Sequence, residues 1–163
     1  MSRFQIIHLA VHGLAEKDKP DKAALVLLED RKAGEDGLLQ APEIAQLHLR
    51  ADLVVLSACD TATGQIQGQE GIETLAHSFV LAGSKSVIST LWSIDDNFSL
   101  ALIKQFYEHY RTTGSPADSL ALAKRDVLRQ FGHDTNPFYW AAFTFEGVPK
   151  GAISTYDSSR KTD

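Results

Sequence analysis

Asp52-Leu53-Val54-Val55-Leu56-Ser57 is the stretch on which the fold turns. A short, continuous apolar run of this kind fits a strand covered on both faces, as in a parallel sheet, rather than the alternating strand of a half-exposed one. It delivers Ala58-Cys59 to its C-terminal end.

Upstream, Phe4 to Val11 (FQIIHLAV) is mostly apolar and is followed by His12-Gly13, which predicts a second buried strand ending at a turn. The polar segment from Ala15 to Asp36 holds one apolar stretch, Ala23 to Leu28, and predicts a hairpin or excursion. Ala41-Pro42-Glu43 opens a short helix through Leu47, because proline is tolerated in a first turn and an acid there suits the helix dipole.

Downstream, Ile72, Leu75, Ala76, Phe79 and Val80 recur at helical spacing up to a stop at Gly83, and Ser86 to Leu91 is another buried strand. Phe98, Leu102, Phe106 and Tyr110 mark a helix from about Asp96 to Arg111. Ser115-Pro116-Ala117-Asp118 then supplies an N-cap, a proline at the first helical position and an acid in the first turn, ahead of a stripe of Leu120, Ala123, Val127, Leu128 and Phe131. Asn136-Pro137 breaks this helix, and Trp140 to Phe145 predicts a last strand before a polar tail from Val148. Strands alternating with helices imply an α/β layer fold with a mostly parallel sheet, whose chemistry lies beyond the strand C-termini.

Composition narrows the function. The chain has 163 residues, 44% of them apolar, enough for one core and short for two domains. Its net charge of −5 comes from 21 acidic and 16 basic side chains in mixed order, with no basic stripe to neutralise phosphates, so nucleic acid is not expected as a partner. Neither a membrane span nor a signal peptide is indicated, which predicts a cytoplasmic protein. With one cysteine there is no internal disulfide, no Cys/His cluster has zinc spacing, and no cofactor is expected. Gly64, Gly68 and Gly71 lack the spacing of a phosphate-binding loop.

Cys59 is therefore either inert packing or chemistry. A free thiol is mostly protonated near neutral pH, so a nucleophilic cysteine needs a nearby imidazole or other positive group. His12 and Cys59 each follow a strand, and adjacent parallel strands would bring both side chains to the same sheet edge. His8, four residues before His12 and within its strand, reads as a structural histidine. His48, His77, His109 and His133 have no partner of metal-ligand spacing and are given surface or packing roles.

The residues also resemble a known family. His8-Leu9-Ala10-Val11-His12-Gly13, then Val54 to Gly64 (VVLSACDTATG), Glu70-Gly71-Ile72 and Leu75-Ala76 are similar to blocks of the CHAT domains, caspase-like modules often joined to tetratricopeptide repeats. Ala82 to Val87, Leu91-Trp92-Ser93-Ile94-Asp95-Asp96, Phe106-Tyr107 and Pro137 to Phe143 extend the likeness to residues 5–147. The His12-to-Cys59 separation of 47 positions (59 − 12) also lies near the roughly 50-residue interval of caspases.

The resemblance implies a caspase-like three-layer α/β fold over residues 1–147, with a polar tail over 148–163. It implies a cysteine endopeptidase in which His12 is the general base, Cys59 the nucleophile, and the backbone N–H groups of Gly13 and Cys59 the oxyanion hole. One such donor is typically worth about 3 to 4 kcal/mol. Ser57 and Asp96 are the substrate-binding candidates. Asp96 lies in a Leu-Trp-x-x-x-Asp arrangement similar to a separase block, where it would receive a basic P1 side chain, although Asp95 and Asp96 also suit helix capping. Asp60 is first a turn cap, and Trp92 a core or pocket-wall residue.

In the family pattern, strands precede the His-Gly block, which here begins near Met1. An uncovered edge beside Phe4 to Val11 is therefore expected, covered by a homo-oligomer or by an upstream segment in trans. The expected partners are a polypeptide substrate and a tetratricopeptide-repeat region. Two rivals remain: a catalytically idle interaction module of the same fold, and a flavodoxin-like small-ligand binder, the latter without a phosphate-cradling loop.

Overall fold

The computed structural model describes residues 4–16, 19–57, 69–132 and 136–148. Its main sheet has four strands: β1 (Ile6–Leu9), β5 (Leu53–Leu56), β6 (Ser86–Thr90) and β7 (Phe143–Gly147), in that spatial order. The first three run parallel, with Ile6 opposite Leu53 and Val54 opposite Val87, and β7 closes the other edge antiparallel to β6. Between β1 and β5 the chain builds an antiparallel three-stranded sheet from β2 (His12–Glu16), β3 (Lys19–Val26) and β4 (Leu38–Gln40). This is the excursion that the polar segment predicts.

All four residues of β5 are buried, as its sequence requires, and they divide between two cores. Leu53 and Val55 face one core; Val54 and Leu56 face the other. On the first side pack α3 (Asp96–Thr113) and α4 (Pro116–Phe131), through Phe98, Leu102, Phe106, Leu120, Ala123 and Val127. On the second lie α1 (Ala41–Gln46), α2 (Gln69–Leu81) and β3, through Ile44, Leu75, Phe79 and Leu25. The result is a three-layer, mostly parallel α/β fold of the caspase-like kind. Each fully buried Leu, Val or Phe contributes about 1.5–3 kcal/mol relative to exposure, so both layers are held chiefly by these side chains.

Helix boundaries follow local chemistry. The Asp95 carboxylate accepts from the backbone N–H groups of Asn97 and Phe98, both at 3.0 Å, and starts α3. Gly114, at φ 62°, ends it, its N–H donating to Tyr110 O at 3.0 Å. Pro116 then begins α4 behind the Ser115 cap.

Three expectations need correction. The strand at Ile6–Leu9 is not buried: it forms the open edge of the described sheet that the family pattern leads one to expect, and Phe4 and Ile6 are 71% and 41% exposed. Trp140 to Ala142 are not strand. Asn136 caps a four-residue helix, α5 (Pro137–Trp140), and β7 starts only at Phe143. Phe131, expected within the α4 stripe, is half exposed, with one face against Phe98 at a centroid distance of 5.2 Å.

Candidate active-site cleft

The backbone first decides where the chain ends of β1 and β5 go. Ser57 N–H, just past β5, donates to Leu9 O, the last residue of β1, at 3.0 Å. The C-terminal ends of the two strands therefore lie side by side at the carboxyl edge of the sheet. From Leu9 the chain passes through Ala10 and Val11 into His12, the first residue of β2. From Ser57 it leads toward Cys59, which lies outside the described residues, as do Asp60 and His133.

At this edge is a cleft of about 610 Å³, the size of a ligand site. His8 of β1, Ala10 and Val11 of the connection and His12 of β2 line it, with Val26 from β3 and Ser57 just past β5. The opposite wall is one stripe of α3, Asp96, Ser99, Leu100 and Ile103, spaced one and two turns apart. The structure thus brings His12, Ser57 and Asp96, three residues singled out from sequence, to one cleft. Gly13, buried beside His12, faces Leu25 across the β2–β3 ladder.

Asp95 and Asp96 separate in role. Asp95 makes the capping hydrogen bonds, and Asp96, the next residue, lines the cleft. The cleft wall is apolar at Leu100 and Ile103, and the Ser99 hydroxyl is buried without a hydrogen-bond partner among the described residues. Trp92 does not line this cleft. Its indole N–H donates to Phe138 O at 2.8 Å, and its ring stacks on Phe138, which makes it a packing residue.

His8 is the cleft residue that sequence reasoning set aside. Its Nδ1 lies 3.2 Å from the Tyr107 hydroxyl, and the rings are tilted at 5.8 Å between centroids. Burial against this neighbour holds the imidazole below the ordinary histidine range, although more than a third of the residue remains open. Tyr107 is pushed upward, first by burial and then by Tyr110 nearby. Both groups are therefore neutral at pH 7. The alternation of β1 was the available signal: Ile7 and Leu9 pack toward α2, so His8 must face α3.

The other described histidines are placed elsewhere. His77 Nδ1 meets Glu146 Oε1 at 3.0 Å, and His109 Nε2 meets Asp126 Oδ2 at 2.6 Å, while His48 is exposed. No group of three or more metal-ligating side chains occurs among the described residues. No helix there is long and apolar enough to cross a membrane.

The family model described as "CHAT domain" matches residues 1–148. Among curated proteins, the chain is similar to tetratricopeptide repeat protein 28 of Mus musculus, at 31% identity over 112 residues, and to that of Homo sapiens, at 28%. Each alignment covers 68% of this chain and 4% of the relative, so the chain spans a small fraction of the proteins it matches.

Proposed function

The chain belongs to the CHAT domain family, and from that membership and the cleft we propose that it is a cysteine endopeptidase module acting through Cys59 and His12. The observation that supports this reading is the Ser57 N–H to Leu9 O bond, which joins the C-terminal ends of β5 and β1, the strands that precede Cys59 and His12 in the sequence. The family-model match also sets aside the flavodoxin-like alternative.

In the proposed reaction His12 takes the Cys59 thiol proton, and the thiolate attacks the scissile carbonyl carbon. The backbone N–H groups of Gly13 and Cys59 stabilise the oxyanion. As the C–N bond breaks, the His12 imidazolium returns the proton to the departing amine. Water, deprotonated by His12, then hydrolyses the thioester and releases the carboxylate product and the free thiol. Asp96 receives a basic P1 side chain, and Ser57 contacts the substrate at the cleft floor.

In this reading the domain spans residues 1–147 of a cytoplasmic protein, and the names of the relatives support a tetratricopeptide-repeat region beside it. The open edge of β1 and the exposed Phe4 and Ile6 favour a further strand covering that edge, whether from a second copy or from another segment.

Labelling tests the reading. A peptidyl acyloxymethyl ketone carrying Arg at P1 should modify Cys59 selectively, as seen by peptide mass mapping, and His12→Ala should suppress the modification. Absence of labelling while a small thiol reagent still reaches Cys59 would identify an idle interaction module instead.

A further inference from the structure

We propose that His8 is a substrate-positioning residue, whose Nε2–H, fixed by the Tyr107 hydroxyl at Nδ1, donates a hydrogen bond to a backbone carbonyl of the polypeptide in the cleft. The inference rests on the reading of this cleft as a polypeptide site, and it gives that site a contact that neither Cys59 nor His12 supplies.

Three observations carry it. His8 lines the cleft together with His12, Ser57 and Asp96, so it borders the volume a substrate would fill. Its Nδ1 lies within hydrogen-bond distance of Tyr107. Tyr107 belongs to α3, the same helix that supplies Asp96 and the apolar wall, so the contact ties the imidazole to the opposite side of the cleft.

The contact allows two directions, and the proposal takes the one in which the Tyr107 hydroxyl donates to Nδ1. A neutral imidazole has one donor and one acceptor nitrogen, and a phenol near neutral pH carries its proton. With Tyr107 donating to Nδ1, the single ring proton sits on Nε2, and His8 offers a donor of fixed orientation. Asp96, across the cleft, offers only acceptors when ionised. An extended peptide presents both carbonyls and N–H groups, so this pair of walls can satisfy it on both counts. The groups facing His8 are Tyr107 from α3, with Asp96 of that helix and His12 of β2 lining the same cleft.

Imidazole nitrogen NMR on the whole chain tests this. In the Cys59→Ala variant, which cannot turn substrate over, His8 should show a pyrrole-type Nε2 and a pyridine-type Nδ1 at pH 7, and Tyr107→Phe should shift Nδ1. Titration with the acetylated, amidated peptide Ala-Leu-Arg-Ser-Ala should move the Nε2 signal. His8→Phe should then weaken binding about fivefold to tenfold, the usual worth of one neutral hydrogen bond, whereas His8→Gln, which keeps a donor, should recover most of it.

Peptide binding with unchanged His8 signals, or equal loss in His8→Gln and His8→Phe, would overturn the proposal while leaving the peptidase reading in place. Binding that depends on His8, in a chain whose native form never cleaves the peptide, would uphold the proposal and sink the peptidase reading. No binding of the peptide at all would overturn both.

Discussion

His109 Nε2 lies 2.6 Å from Asp126 Oδ2, with less than a third of either side chain exposed, and the contact ties α3 to α4. The other oxygen of Asp126 accepts from Arg129 at 2.9 Å, but Arg129 is largely in solvent. A half-buried bond to a charged group outweighs an exposed ion pair. Asp126→Ala should therefore cost about 1–2 kcal/mol in urea unfolding, and Arg129→Ala no more than about 0.5 kcal/mol. A His109/Asp126 double-mutant cycle should give a coupling near 1 kcal/mol, and zero coupling would mean the pair is incidental.

Gly83 should not tolerate a side chain. It closes α2 at φ +104°, and a Cβ built there would sit 2.6 Å from Leu49 O, which is backbone and cannot rotate away. Strain and overpacking add, so Gly83→Ala should destabilise by about 2–4 kcal/mol, well beyond the helix-propensity effect. A melting temperature within 2 °C or so of wild type would contradict this placement.

Cys59→Ala should abolish peptide cleavage with little change in unfolding midpoint, since one sulfur is removed just past a strand end. His12→Ala should lower kcat by a comparable factor. Cleavage that persists in the cysteine variant would end the nucleophile assignment, and a merely halved rate in the histidine variant would require another base.

Asp96→Asn should depress cleavage after Arg or Lys by on the order of a hundredfold, because a charge-assisted contact is lost, and leave cleavage after apolar residues nearly unchanged. Asp95→Ala should do the reverse. It removes the cap of α3 and should cost about 1–2 kcal/mol of stability, with no selective effect at P1. Equal effects of the two variants on P1 preference would return Asp96 to the role of a first-turn acid.

His8 should leave a trace in the pH dependence of stability. Its pKa lies below the ordinary value of 6.5 because burial disfavours the imidazolium. Below pH 6.5 the unfolded chain binds more protons at this residue than the folded one does, so its stabilising contribution is complete above that pH and is lost as pH falls toward the folded value. The stability difference between wild type and His8→Gln should therefore shrink below pH 6.5 and stay level above it. A difference that grows on acidification would contradict the sign.

The sequence by itself determined what local chemistry decides. Asp52–Ser57 is too short and too apolar for a surface helix, Ser86–Leu91 is a short run rich in β-branched residues, Ser115-Pro116 marks the start of α4, and the stripe at Phe98, Leu102 and Phe106 goes inward as its spacing requires. His12, Ser57 and Asp96 were legible as site candidates from the ordered blocks around them. Only the tertiary structure decided matters that depend on distant pairing. The exposure of β1 follows from its pairing with β5 alone: Ile6–Leu9 reads as a buried strand, yet Ile6 is 41% exposed. Neighbouring acids at a helix start are equivalent in sequence, and the backbone geometry gave the cap to Asp95 and the cleft to Asp96. His8 looks like a strand histidine until β1 is set against α3, because its partner Tyr107 lies 99 residues away along the chain and only packing brings the two together.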